Sequence, residues 1–244
     1  MTKTAIITGA STGIGYGISR LFLEKGLNVV MNSASEQNLW KAYSALGEPD
    51  NATIVAGDVS NKDVSQLLVD TAVQKYGALD ILVNNAGVFG AKPFLDVKDV
   101  DIDLFYNINF KGTYFAAQAA IRYMVNSDGG SIINIGSVLV DHAVSDLPAT
   151  APISIKGAVH AFTRQLAAEF GKKNIRVNAI APGVIRTALQ SKLGIQNADD
   201  AANLSLLNRI GEPDDVAEIA YALAINQFMT GEIINIDGGH VAGR

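Results

Sequence analysis

The strongest constraint on this chain is an alternation of two patterns. Short runs rich in β-branched residues, Thr4–Thr8, Asn28–Met31, Thr53–Ala56, Ile81–Val83, Ser131–Ile135, Arg176–Ile180 and Glu232–Ile236, are separated by longer stretches with helical spacing. Several of the runs are apolar at successive residues, as strands buried on both faces are. The helical stretches cover about Gly13–Lys25, Gln37–Leu46, Val64–Tyr76, Phe105–Met124, Ile153–Gly171 and Pro213–Ala224. Such alternation needs crossover connections, which set parallel strands side by side and lay helices on both faces. The expectation is a single α/β domain over residues 1–244, a doubly wound sheet of about seven parallel strands. Residues 188–211 fit neither pattern. A long irregular stretch before the last helix reads as a substrate lid rather than a domain boundary.

Composition narrows the function classes. Hydrophobic residues make up 48% and charged residues 18%, which is globular rather than disordered. The net charge is −5 with no basic run, so no nucleic-acid partner is expected. The chain has no cysteine, which excludes disulfides and thiolate metal sites. Three scattered histidines without spaced carboxylates give no metal site. No apolar run reaches the roughly 18–20 residues of a membrane span. The first residues pass from a short apolar run straight into a glycine turn, a strand rather than a signal peptide, and the expected location is cytoplasmic.

That turn is the first functional signal. The first strand ends in Thr8-Gly9-Ala10-Ser11-Thr12-Gly13-Ile14-Gly15. Gly9 permits a sharp turn, Gly13 a close approach of backbone to a pyrophosphate, and Gly15 tight packing of helix on sheet. The phosphates then face the positive end of the first helix. Glycines that only shape a turn are the alternative reading.

Further segments follow in order: Asn84-Asn85-Ala86-Gly87 after the fourth strand, Asn109 within Asn107–Gly112, Ser137 after the fifth, Arg176–Gly183 through the sixth, and Asp237-Gly238-Gly239 after the seventh. With them the whole chain resembles the short-chain dehydrogenase/reductase family, of the type that includes β-ketoacyl carrier-protein reductases, and so a Rossmann-type sheet. The resemblance implies that Gly9, Ser11, Gly13, Ile14 and Gly15 hold the pyrophosphate and adenine ribose, and that Asp58 and Val59 meet the adenine. It implies that Asn85, Ala86 and Gly87 line the ribose face, and that Pro182, Gly183, Ile185 and Thr187 contact the nicotinamide end. The second strand closes on Met31-Asn32-Ser33-Ala34-Ser35-Glu36, with Ser33 nearest the place of the usual NAD-selecting acid. No carboxylate stands there to repel a 2′-phosphate and no arginine to attract one. Hydroxyls of Ser33 and Ser35 favour NADP(H) over NAD(H), while Glu36 opposes it.

Members of the family polarise a carbonyl with a serine, protonate it from a tyrosine, and hold that tyrosine and the ribose with a lysine. An asparagine on the preceding helix holds a relay water. Ser137, Lys156 and Asn109 occupy the matching positions. The tyrosine position is Pro152, and no tyrosine lies between Tyr123 and Tyr221. Ser154 projects about 200° round the helix from position 152 and is no substitute. Lys156 shares the face of Pro152 one turn on.

Three proton arrangements remain open. His142, in the loop after Ser137, is one candidate donor; its other reading is a solvent-exposed or structural histidine beside Asp141. Lys156 can donate if burial lowers its pKa. Conjugate reduction of an enone needs no enzyme proton, only stabilisation of the oxyanion. His160 reads as a packing residue on a helix that lies between subunits in the family, His240 as a surface residue and Trp40 as packing.

The first functional reading is an NAD(P)H-dependent oxidoreductase acting on a ketone, alcohol or enone. A non-redox lyase or isomerase and a cofactor-binding regulator without catalysis are the others. Leu189, Leu193, Ile195, Leu204 and Leu207 suggest an apolar lid and a neutral, fairly hydrophobic small-molecule substrate. The Val88–Phe94 and Val138–Ala149 loops complete the expected pocket. The family commonly forms homotetramers, so a homo-oligomer, tetramer or dimer, is expected.

Overall fold

The computed structural model describes residues 2–188 and 198–243. Seven strands form one sheet in the order β3-β2-β1-β4-β5-β6-β7. They are β1 Thr4–Ile7, β2 Asn28–Ser33, β3 Ala52–Ala56, β4 Ile81–Asn84, β5 Gly130–Ile135, β6 Ile175–Pro182 and β7 Ile233–Ile236. Every neighbouring pair is parallel. The strand order reverses between β1 and β4, so their carboxyl ends diverge there into a crevice, the usual ligand position in an open α/β sheet.

The apolar runs become strands because both faces of the sheet are covered. Successive residues point to opposite sides. On one side Ile7, Met31, Val83, Ile133 and Ile180 pack with Phe22, Leu39, Val216 and Leu223. These come from α1 (Gly13–Glu24), α2 (Glu36–Ala45) and α7 (Pro213–Ile225). On the other, Ile6, Val30, Leu82, Ile132 and Val177 pack with Leu68, Ala117, Met124 and Leu166. These come from α3 (Lys62–Tyr76), α5 (Gly112–Met124) and α6 (Thr150–Phe170). The expected single α/β architecture is present, with strand ends displaced by one or two residues.

One expected helix is divided. The stretch Phe105–Met124 is preceded by α4 (Asp99–Phe105) and begins as a π-helical segment, Tyr106–Lys111, before α5. A π segment holds an extra residue per turn, and such bulges gather at functional sites. Here it carries Asn109. Continuous helical spacing conceals an insertion of this kind. Helix α6 starts at Thr150, before the expected Ile153, so Pro152 lies in its first turn. Backbone N–H groups there have no intrahelical acceptor, and a missing one costs little.

Trp40 departs from its packing role. Leu39 and Ala42 form the buried face of α2, and Trp40, about 100° round from Leu39, is 48% exposed, edge-on to Tyr43. Among the described residues no helix is long and apolar enough to cross a membrane.

The seam between α7 and the sheet rests on Arg176. Its guanidinium is buried and donates to the carbonyls of Leu223 at 2.7 Å and Ala224 at 3.0 Å, completing the C-terminal turn of α7. Replacement by methionine, Arg176→Met, keeps the bulk, strands the Ala224 carbonyl and leaves the Leu223 carbonyl only the Ser131 hydroxyl. The expected loss is about 2–3 kcal/mol, from hydrogen bonds to a charged group. Urea unfolding reads it directly, and an unchanged midpoint would refute this role.

Candidate active site

The crevice is built by β1, β4 and the turn between β1 and α1. The Thr8 hydroxyl accepts the N–H groups of Asn85 and Ala86, both at 3.0 Å, and donates to the carbonyl of Val83. The Asn85 amide donates to the carbonyls of Thr8 at 2.9 Å and Gly9 at 3.1 Å. These bonds press the two strand exits together. A Cβ on Gly9, whose φ is +64°, would meet Ala86 Cα at 2.8 Å; one on Gly15 would meet the Gly9 carbonyl oxygen at 2.4 Å. Only glycine fits either place. The Asn85 side chain thus shapes the turn, and Ala86 and Gly87 continue along its wall.

The opening of α1 suits an anion. Thr12, the residue before the helix, makes no side-chain capping bond, and the first turn holds no acidic residue. Uncapped N–H groups at the positive end of a helix of this length are donors for a pyrophosphate. Ile14 points inward and packs on the α1 core. Gly13 has φ +56°, and a Cβ there would meet Thr187 Cγ2 at 2.9 Å, so Thr187 lies over the glycine turn. Ser11 and Ser33 hydroxyls are 3.0 Å apart, beside the end of β2. The Ser35 hydroxyl caps α2 by accepting the N–H of Asn38 at 3.3 Å. Asp58 stays exposed after β3, turning the chain by accepting the N–H of Ser60, while Val59 is buried against Gly112.

At the far end of the crevice, Pro182 ends β6, paired with Ile236. Gly183 abuts Asp237: a Cβ would sit 2.9 Å from Asp237 Cα. Ile185 forms a bridge with Gly211. These positions share one rim with the glycine turn through Thr187.

Behind that rim Lys156 and Asn109 meet beside Gly87, and Ser137 follows the strand exit on which Lys156 rests. The Lys156 ammonium donates to the carbonyl of Ile135 at 2.6 Å, two residues before Ser137. Burial pushes its pKa down to about 8. A Cβ on Gly87 would lie 3.2 Å from Asn109 Oδ1 and 3.6 Å from Lys156 Nζ, so the β4 exit, the π segment and α6 meet there. The Asn109 amide is committed: it accepts the N–H of Val88 at 2.7 Å and donates to its carbonyl at 2.8 Å. Ser137 Oγ accepts the N–H of Leu139 at 3.2 Å, which leaves its own hydrogen available to an incoming oxygen. Pro152 is buried one turn before Lys156, and Ser154 faces outward.

Of the three histidines, only His240 departs from its sequence reading. His142 makes an edge-to-face contact with His240, ring centroids 4.9 Å apart, and no hydrogen bond joins its ring to Ser137 or Lys156. His240 is not a surface residue but 4% exposed, because Asp237 accepts the N–H groups of Gly239 and Val241 and folds the segment inward. Its Nε2 has no hydrogen-bond partner. His160 is 3% exposed, buried within the chain, with Nε2 3.4 Å from the backbone nitrogen of Ser137. The sequence signal for that contact was a glycine at 136, directly before the serine. Asn32, which ties the ends of β2 and β3 by donating to the carbonyls of Val55 and Gly57, was also missed. The two expected pocket loops do meet, Lys92 N–H donating to the Pro148 carbonyl at 2.6 Å. Among the described residues no cluster of His, Asp or Glu suits a metal ion. Leu189, Leu193 and Ile195 lie outside the described residues.

Comparison with known proteins agrees with this geometry. A family model described as enoyl-(acyl carrier protein) reductase matches residues 9–240. The 3-oxoacyl-[acyl-carrier-protein] reductase of Thermotoga maritima is 35% identical over 243 residues, covering 98% of each chain. The solved structure of ElxO with NADP bound has a TM-score of 0.90 at 32% identity, covering 99% of this chain and 100% of that one. A Brucella melitensis 3-ketoacyl-(acyl-carrier-protein) reductase complexed with NADH has a TM-score of 0.90 at 28% identity, covering 98% of each chain. With its glycine turn and all-parallel sheet, this chain belongs to the short-chain dehydrogenase/reductase family and is an NAD(P)-dependent oxidoreductase.

Proposed function

We propose that the protein reduces a ketone of a neutral, fairly apolar small molecule, or oxidises the matching alcohol, with Lys156 in place of tyrosine as the proton source. The observation that supports this most is the placement of Lys156, its ammonium on the Ile135 carbonyl and its pKa lowered to about 8. An ammonium of that acidity stays protonated at pH 7 and gives up its proton far more readily than an exposed lysine.

When bound, the reduced dinucleotide supplies a hydride. The residues that would hold it are Gly9, Ser11, Gly13, Ile14 and Gly15 at the phosphates, Asp58 and Val59 at the adenine, Asn85, Ala86, Gly87 and Lys156 along the ribose, and Pro182, Gly183, Ile185 and Thr187 at the nicotinamide. The uncapped N-terminus of α1 and the glycine cradle fit such a group. NADP(H) is favoured because β2 ends on Ser33, with the Ser11 hydroxyl beside it and no carboxylate at the tip. Glu36 is the first residue of α2.

Ser137 donates its hydroxyl hydrogen to the substrate oxygen and stabilises the negative charge that grows there. Lys156 then delivers a proton to that oxygen, directly or through one water, and recovers it from solvent. Asn109 fixes Val88 and so the wall facing Lys156. His142, occupied with His240, is the weaker donor. A second reading, conjugate reduction of an enone, is favoured by Pro152 itself: only the oxyanion needs stabilising, and Ser137 and Lys156 suffice. A homo-oligomer is the working form; the expected lid over 188–211 includes residues 189–197, which lie outside the described residues.

The test is absorbance of NADPH and NADH with a panel of ketones, diketones and enones. Faster NADPH loss with ketones is expected. Binding without turnover would instead indicate a regulator, and product formation without absorbance change a lyase or isomerase.

Further outcomes are expected. Gly13→Val should weaken NADPH binding at least tenfold in a fluorescence titration; unchanged affinity would move the cofactor elsewhere. Ser137→Ala should lower kcat by about 100-fold, as loss of one oxyanion donor does, whereas His142→Ala should leave it within a factor of two. The kcat for ketone reduction should fall as pH rises through about 8, where Lys156 loses its proton, and Lys156→Ala should abolish it. A flat profile to pH 9 would remove lysine as the donor.

A further inference from the structure

His160 has no part in the mechanism so far, yet it touches the backbone of the residue on which that mechanism turns. The ladder of β5 ends where Gly136 N–H donates to the Ile180 carbonyl at 2.7 Å. The next N–H belongs to Ser137, and His160 Nε2 accepts it at 3.4 Å. Ser137 then starts a short turn: its Oγ accepts the N–H of Leu139 and its carbonyl the N–H of Val140. The histidine therefore holds the one end of this turn that the sheet no longer holds. The fit is close, since a Cβ at Gly136 would fall 2.2 Å from His160 Nε2.

We propose that His160 is a positioning residue for Ser137: the neutral ring anchors the serine backbone so that its hydroxyl addresses the substrate, and protonation of the ring releases it. To accept at Nε2 the ring must carry its single proton on Nδ1. Once both nitrogens are protonated, two N–H donors face each other and the contact is lost. Burial is the main force keeping the ring neutral. Lys156 and Arg164, on the same helix, add to it, and Asp141, on the loop after Ser137, opposes it. The pKa is held below the ordinary histidine value, so release belongs to mildly acidic conditions.

This rests on the reading of Ser137 as the group that polarises the substrate, and the experiment separates the two. kcat and KM are measured against pH with NADPH and the ketone that the wild type reduces best, for wild type, Ser137→Ala, His160→Leu and His160→Gln. Wild-type kcat should fall on the acid side, below the usual histidine range. His160→Leu should lose at least tenfold in kcat with the KM for NADPH unchanged, and should lose the acid limb. His160→Gln, whose amide oxygen can accept the same N–H, should keep kcat within threefold and stay flat into acid. An acid limb persisting in His160→Gln, or a His160→Leu variant as fast as wild type, would overturn the role of His160 alone. Full activity in Ser137→Ala would overturn both readings. A readout independent of turnover, and of whether His160→Leu folds, is NMR of the NADPH-bound wild type. The Ser137 amide resonance should move with pH in step with the His160 ring, and an indifferent amide would refute the proposal.

Discussion

The crevice exists because the Thr8 hydroxyl and the Asn85 amide lock two strand exits together. Thr8 takes two backbone N–H groups from the chain leaving β4, and Asn85 returns two hydrogen bonds to the chain leaving β1. Each polar group satisfies a backbone partner that the end of the sheet would otherwise leave bare. The contact also sets the glycine requirement. With Ala86 and the Gly9 carbonyl held so near, side chains at 9 and 15 have no space. The first turn of α1 is then held at the mouth of the sheet with its N–H groups outward.

From that line the second half of the site follows by the parallel register. β4 neighbours β5, which neighbours β6, so the chain after each strand emerges along one edge. Gly87, Ser137 and Gly183 appear in order along it. Lys156 reaches this edge from α6 and rests on the Ile135 carbonyl. The carbonyl offsets part of the cost of removing an ammonium from water, and burial still lowers the pKa. The Lys156 ammonium is thus an acidic group held on the strand exit that leads to Ser137. Pro152 is compatible with this because it falls in a turn where the helix has no need of an N–H.

Polar groups buried around this edge each have a structural task as well as a place in the site. Asn109 spends both ends of its amide on Val88. Asn84, Asn134 and Thr163 form a buried chain of hydrogen bonds beneath it, with Thr163 returning to the Val159 carbonyl of α6. These link the π segment, the sheet and α6 into one support, and small displacements of any element would reach Lys156.

The architecture and the cofactor crevice are both legible in the pattern of the chain. Strands buried on both faces must be apolar throughout, and Gly9, Gly13 and Gly15 announce a close approach without any coordinates. Ser137, Lys156 and Asn109, with Pro152 at the tyrosine position, are expectations from family order, and the fold brings Asn109 and Lys156 to one place beside Gly87. The features that pattern does not carry depend on residues distant in the chain. The π segment was hidden because an inserted residue leaves helical spacing intact. Trp40 and His240 were misplaced because exposure depends on what packs against an element, and a turn held by Asp237 draws His240 inward. The pairing of His160 with Ser137 joins positions 23 residues apart, and no local pattern encodes it. Periodicity reports how a segment meets water or core, whereas the partner of a polar atom is chosen by the three-dimensional path of the whole chain.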